Sequence, residues 1–112
     1  LEIVVAPIVR EPSGLARSSR NAYLSDDERQ RAVTLSRSLF AAQDAVAAKG
    51  RVPWTGQRRK IVKALEDAGL VVDYVEAVEA DTLRPVKALV KGVAVLLAVY
   101  CGKTRLIDNA VM

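Results

Sequence analysis

The run Gly92-Val93-Ala94-Val95-Leu96-Leu97-Ala98-Val99-Tyr100-Cys101 decides the fold. It holds no charged residue and is rich in valine and leucine, so it reads as a strand. A strand with one wet face alternates apolar and polar residues. An uninterrupted apolar run needs cover on both faces, which places it at the centre of a sheet. Gly102-Lys103 follows as the tight turn of a hairpin, since glycine reaches the positive φ that such turns demand. Thr104 to Val111 is then the antiparallel partner. The run is far shorter than the roughly 20 residues a membrane-spanning helix needs.

Working outward, Leu70 to Glu79 alternates valine and tyrosine with acids and reads as another strand. Asp81 to Leu89 contains Pro85 and reads as a loop with about one helical turn. Asp26 to Lys49 is the first helix. Ser25 and Glu28 have the spacing of a capping box, and Leu24 stands where a hydrophobic residue precedes the cap. Asp26 and Asp27 suit the positive end of the helix dipole, and Gly50 is the stop. Ala32, Leu35, Leu39, Ala42 and Val46 make its buried stripe, with Arg31, Ser38 and Lys49 away from it. Arg51 to Thr55 is a connector. Thr55 is the expected N-cap of a second helix, about Gly56 to Ala68, which turns Ile61, Leu65 and Ala68 inward and stops at Gly69. Trp54 reads as a packing residue. Glu2 to Val9 is a further strand, with Pro7 at an edge or bulge. The expected architecture is α+β: a small, mainly antiparallel, three- to four-stranded sheet with two packed helices.

Composition narrows the chemistry. The 112 residues fit one domain. A chain that is 51% hydrophobic but 4% aromatic must build its core from Val, Leu, Ile and Ala. It contains no histidine, which excludes Ser-His-Asp and Cys-His catalysis and histidine-bound zinc within these residues. A single cysteine, Cys101, cannot form an internal disulfide and reads as an inert buried thiol. Leu1 opens directly on a strand-like run without a charged leader, and the missing initiator methionine suggests a piece of a longer protein. The expected setting is soluble and cytoplasmic. Asp73, Glu76 and Glu79 share one strand, but a spacing of three puts Asp73 and Glu76 on opposite faces, so no metal ligand is assigned.

The net charge of +4 suits an anionic small molecule or a nucleic acid. Two basic stretches bear on that choice. In Gly14-Leu15-Ala16-Arg17-Ser18-Ser19-Arg20-Asn21, a glycine is followed by two hydroxyls and two guanidiniums, just ahead of a capped helix. That set of donors can hold a polyphosphate, because arginine forks onto phosphate oxygens and glycine lets backbone approach. The bland alternative is a solvated turn. The second stretch is Arg58-Arg59-Lys60, with Arg51 nearby. It reads as a solvated helix face, and otherwise as the surface of a small nucleic-acid-binding module.

The wording around the first stretch is more specific than its chemistry. Pro7-Ile8-Val9-Arg10-Glu11-Pro12-Ser13-Gly14-Leu15-Ala16-Arg17-Ser18-Ser19-Arg20-Asn21-Ala22-Tyr23-Leu24-Ser25 closely resembles a segment of the pantothenate synthetase (pantoate–β-alanine ligase) family. There a strand ends in V-R-E and leads through G-L-A-M/L-S-S-R-N-x-Y-L into a helix. Val72-Asp73-Tyr74-Val75-Glu76 and Thr104-Arg105-Leu106-Ile107-Asp108-Asn109 also resemble that family. The likeness runs over almost the whole chain, but covers only the family's smaller C-terminal domain.

The resemblance implies the following. Residues 1–112 form a C-terminal lid, whose N-terminal nucleotide-binding partner domain carries an H-x-G-H motif absent here. Arg17, Ser18, Ser19 and Arg20 fall on an ATP-phosphate-binding run, with Ser18, Ser19 and Arg20 stabilising the adenylation transition state. Val9 meets the adenine end through its backbone. Arg17 departs from the family's Met or Leu and is given no catalytic role. ATP is the co-substrate, with Mg2+ held mainly through its phosphates, and pantoate and β-alanine are the other reactants. Asp108 and Asn109 are expected to be structural, in a turn or edge position. No nucleic-acid or membrane partner is implied. A lid separated from its partner exposes a covered surface, which permits a homodimer. The lid of another adenylate-forming ligase is the remaining alternative.

Overall fold

The computed structural model describes residues 24–112. The expected strand from Glu2 to Val9 lies outside the described residues. What is described is an α+β domain of two helices, a three-stranded antiparallel sheet and a two-stranded antiparallel ribbon.

Helix α1 spans Asp26–Lys49. Its start is the expected capping box: Ser25 Oγ accepts the Glu28 N–H at 3.2 Å, and the Glu28 carboxylate accepts the Ser25 N–H at 3.1 Å. Gly50 ends it with φ +75°. Ala32, Leu35, Leu39, Ala42 and Val46 are all buried, as their spacing requires. The buried face is wider than that stripe. It also takes in Ser36 and Ser38, so the expectation that Ser38 lies away from it is wrong. The reason is a second contact surface: α1 packs against helix α2 as well as against the sheet.

Helix α2 spans Trp54–Asp67 and begins earlier than Thr55 predicts. Thr55 is not its N-cap; Pro53 occupies that place without a side-chain bond. A ribbon that sequence periodicity does not reveal accounts for this. Strand β1, Val52–Pro53, pairs with β3, Ala88–Leu89, and the Trp54 N–H donates to the Lys87 carbonyl at 2.9 Å. The partner segment therefore satisfies the amide of the helix's first residue. The stretch from Asp81 to Leu89 opens with the expected single helical turn, in which the Leu83 N–H donates to the Glu79 carbonyl at 2.8 Å, and its last two residues pair as β3. At the other end of α2 the Leu70 N–H reaches the Leu65 carbonyl at 3.1 Å, and the Gly69 N–H reaches the Glu66 carbonyl at 2.9 Å. This is a Schellman motif, with Gly69 at φ +81°. Buried Leu65 and Leu70 supply its hydrophobic contact.

The sheet has the order β2-β4-β5, from strands Val71–Glu79, Val93–Cys101 and Thr104–Val111. Strand β4 is central, as its apolar run demands. Val93, Val95, Leu97, Val99 and Cys101 join the helices in the main core. Ala94 and Leu96 form a second cluster with Val78 on the opposite face. Gly102, at φ +61°, begins the two-residue turn that joins Cys101 to its partner Thr104.

Strand β2 carries a bulge between Val72 and Tyr74 that breaks the two-residue alternation. Asp73 consequently reaches Arg105, whose cross-strand partner Tyr100 lies on the face away from the helices. Glu76, opposite Leu96, is on that face too, so the expected separation of Asp73 and Glu76 to opposite faces is wrong. Arg105 Nε and Nη2 both donate to Asp73 Oδ2, at 3.1 and 3.0 Å, and the guanidinium lies 5.8 Å from the Tyr74 ring centroid.

Candidate functional site

The residues singled out for phosphate chemistry, Val9, Arg17, Ser18, Ser19 and Arg20, lie outside the described residues. What the structure defines is the platform into which that stretch leads. Leu24 is buried, so the chain is anchored one residue before the Ser25 cap. The tip of the β4–β5 hairpin meets the same point. A methyl group built on Gly102 would stand 2.8 Å from the Glu28 carboxylate, and Cys101 Sγ lies 3.7 Å from the Glu28 carbonyl. The capping box and the hairpin turn thus brace one another across 73 residues of sequence.

The electrostatics of this platform matter for any anion. Asp26, Asp27 and Glu28 fill the first turn of α1. Asp27 is neutralised by Arg31, whose Nε donates to Oδ2 at 2.9 Å and whose Nη2 binds the same oxygen. The Ser25 hydroxyl and the Glu28 carboxylate are spent on each other's amides. The positive end of the helix is therefore already compensated by its own acids. By itself the α1 terminus is a poor seat for a phosphate. Cys101 takes no part in such chemistry: burial, and then the negative charge of Glu28, push its thiol above the ordinary range.

The basic cluster is divided by the fold. Arg58 Nε donates to the Val75 carbonyl at 3.1 Å and ties α2 to β2. Arg59 is exposed, as is Arg51 beside the ribbon. Arg58 is thus partly withdrawn from any nucleic-acid surface. Trp54 is buried at the start of α2, so it packs and offers no stacking platform. Asp108 is 3% exposed on the edge strand β5, with Oδ1 accepting the Asn109 N–H at 2.8 Å. That agrees with an edge position. Its depth in the core has no signal in a stretch that alternates only loosely.

No group of three or more metal-ligating side chains gathers among the described residues. Two of the three carboxylates of the β2 cluster are engaged elsewhere: Asp73 by Arg105, and Glu79 by the Thr82 hydroxyl at 2.9 Å. No described helix is long and apolar enough to cross a membrane.

Comparison with known proteins gives a consistent result. The profile of the family described as pantoate-beta-alanine ligase matches residues 1–111. The pantothenate synthetase of Anaeromyxobacter dehalogenans is 53% identical over 109 residues, covering 97% of this chain and 37% of that protein. That of Acetivibrio thermocellus is 47% identical, covering 100% of this chain and 40% of that protein. Among solved structures, the pantothenate synthetase of Thermus thermophilus superimposes with a TM-score of 0.75 at 36% identity, over 97% of this chain and 39% of that one. The pantoate-beta-alanine ligase of Francisella tularensis, solved with β-γ ATP and β-alanine, gives 0.61 at 25% identity, over 98% of this chain and 33% of that one. The chain spans about two fifths of the length of the curated relatives it matches.

Proposed function

This chain belongs to the pantoate–β-alanine ligase family, and on that premise we propose that it is the C-terminal lid of an ATP-dependent pantothenate synthetase. The whole enzyme joins pantoate and β-alanine in two steps. Pantoate carboxylate attacks the α-phosphorus of ATP, giving pantoyl adenylate and pyrophosphate. The β-alanine amine then attacks the acyl carbon and releases pantothenate and AMP. The Francisella enzyme was crystallised with β-γ ATP and β-alanine, which supports this choice of reactants.

In this reading Ser18, Ser19 and Arg20 donate to the phosphate oxygens on which charge grows as pyrophosphate leaves. Arg17 adds its backbone, and Val9 contacts the adenine end. Closure of the lid excludes water that would hydrolyse the adenylate. Magnesium enters as part of the ATP substrate, held mainly through the phosphates. The observation that carries the reading is the S-S-R-N run leading into a helix start braced from two sides. A further support is the sheet face turned away from the helices. Val71, Tyr100 and Ile107 are exposed there at 65%, 39% and 56%, a patch suited to cover by another domain of the same protein. Weak self-association of the isolated chain through that patch follows from the same reading.

The test is Ser18→Ala or Arg20→Ala in the full-length enzyme, read by ATP–pyrophosphate exchange. A loss of about a hundred- to a thousandfold in the adenylation step is expected for a transition-state donor. Arg51→Ala and Arg59→Ala should leave the exchange rate unchanged. Wild-type exchange in both loop variants would refute the assignment.

A further inference from the structure

The face between α1 and α2 is not closed. A groove of about 350 Å³ lies there, near the lower end of the roughly 300–1,000 Å³ range of small-molecule sites. Helix α1 contributes Arg37, Ser38 and Ala41 to its walls, and α2 contributes Gln57, Lys60 and Ile61. No acidic residue lines it. Neither Arg37 nor Lys60 forms an ion pair among the described residues.

The groove also holds polar groups that the fold leaves unserved. Ser38 is 7% exposed, and its Oγ has no hydrogen-bond partner among the described residues. Its neighbour Ser36 shows the ordinary solution, donating back to the Val33 carbonyl at 2.9 Å. Gln57 is 6% exposed and makes no side-chain hydrogen bond among the described residues. A buried hydroxyl without a partner carries a desolvation penalty, and it lines the same cavity as the Gln57 amide and two unpaired cations.

We propose that the α1–α2 groove is a binding site for a small oxyanion with a compact aliphatic body. The carboxylate or phosphate head sits between Arg37 and Lys60 and accepts from the Ser38 hydroxyl and the Gln57 amide. The aliphatic part lies along Ala41 and Ile61. Such a site stands on the cavity alone and does not depend on the lid assignment above.

The experiment uses the full-length protein, with butyrate and inorganic phosphate as probes and backbone-amide NMR as the readout. Saturable shifts at Ser38 and Gln57 are expected. The dissociation constant should rise about ten- to a hundredfold in Arg37→Gln or Lys60→Gln, as for loss of one charge-assisted hydrogen bond. Tighter phosphate than butyrate assigns a phosphate head, and the reverse order a carboxylate head. Both substitutions are at helix positions that tolerate glutamine, and a thermal melt checks that the fold is kept. Absence of saturable shifts at Ser38 and Gln57 with either probe overturns the proposal. So do affinities that are equal in wild type and both charge variants.

Discussion

Two single residues carry consequences that can be measured directly. Cys101 is buried against the α1 cap, and its thiol is held above the ordinary range by burial and by Glu28. A group whose folded pKa is raised contributes stability that is fully present below the unfolded pKa. That contribution is lost as pH rises through the folded pKa. Stability should therefore fall above about pH 8.5, where the unfolded thiol ionises, and Cys101→Ala should flatten that alkaline limb. Denaturant midpoints taken from neutral to alkaline pH decide it. Equal slopes in wild type and variant would show that the thiol does not titrate differently in the two states. Arg58 is the second case. Its bond to the Val75 carbonyl predicts that Arg58→Ala costs about 1 kcal/mol. Arg59→Ala, on an exposed part of the same helix, should stay within about 0.5 kcal/mol of wild type. The run Arg58-Arg59-Lys60 looks uniform as text, and only the fold separates the cation that braces β2 from its neighbours.

At the scale of elements, the contact between Gly102 and the capping box joins two motifs that are each local in sequence. Gly102→Ala has to adopt φ +61° with a side chain and also displace the Glu28 carboxylate. A cost of about 1–3 kcal/mol is expected from the backbone strain, with the cap loosened as well. Ser25→Ala removes one capping bond and should cost about 1 kcal/mol. If the two act on one unit, the double variant loses less than the sum of the singles, which chemical denaturation can resolve. These elements also show what could be read in advance. Helix α1, the central place of β4 and the hairpin turn follow from capping chemistry, an unbroken apolar run and a glycine, all within short windows. The β1–β3 ribbon has two residues a side and leaves no periodicity to find. It moves the start of α2, so Thr55 misleads for a reason outside its own neighbourhood. The bulge at Asp73 misleads similarly, since alternation counts residues and a bulge inserts one without a mark. Ser38 and Gln57 are polar letters that burial alone reveals.

For the molecule as a whole, the family was legible chiefly in the residues ahead of Leu24, with support from Val72 to Glu76 and Thr104 to Asn109, while the folded platform was legible in the residues after Leu24. The catalytic assignments rest on the first group and the geometry on the second, so activity has to be tested in the full enzyme. A lid role predicts that the isolated chain forms no pantothenate from pantoate, β-alanine and ATP. Detectable product from the purified chain, measured by mass spectrometry, would mean that it holds a complete active site. The braced helix start has a last consequence. Because the hairpin tip leans on the α1 cap, the length of that turn helps seat the first turn of the helix. One residue inserted between Gly102 and Lys103 would unseat the Ser25–Glu28 cap without altering a letter of it, an adjustment made from the far end of the sequence.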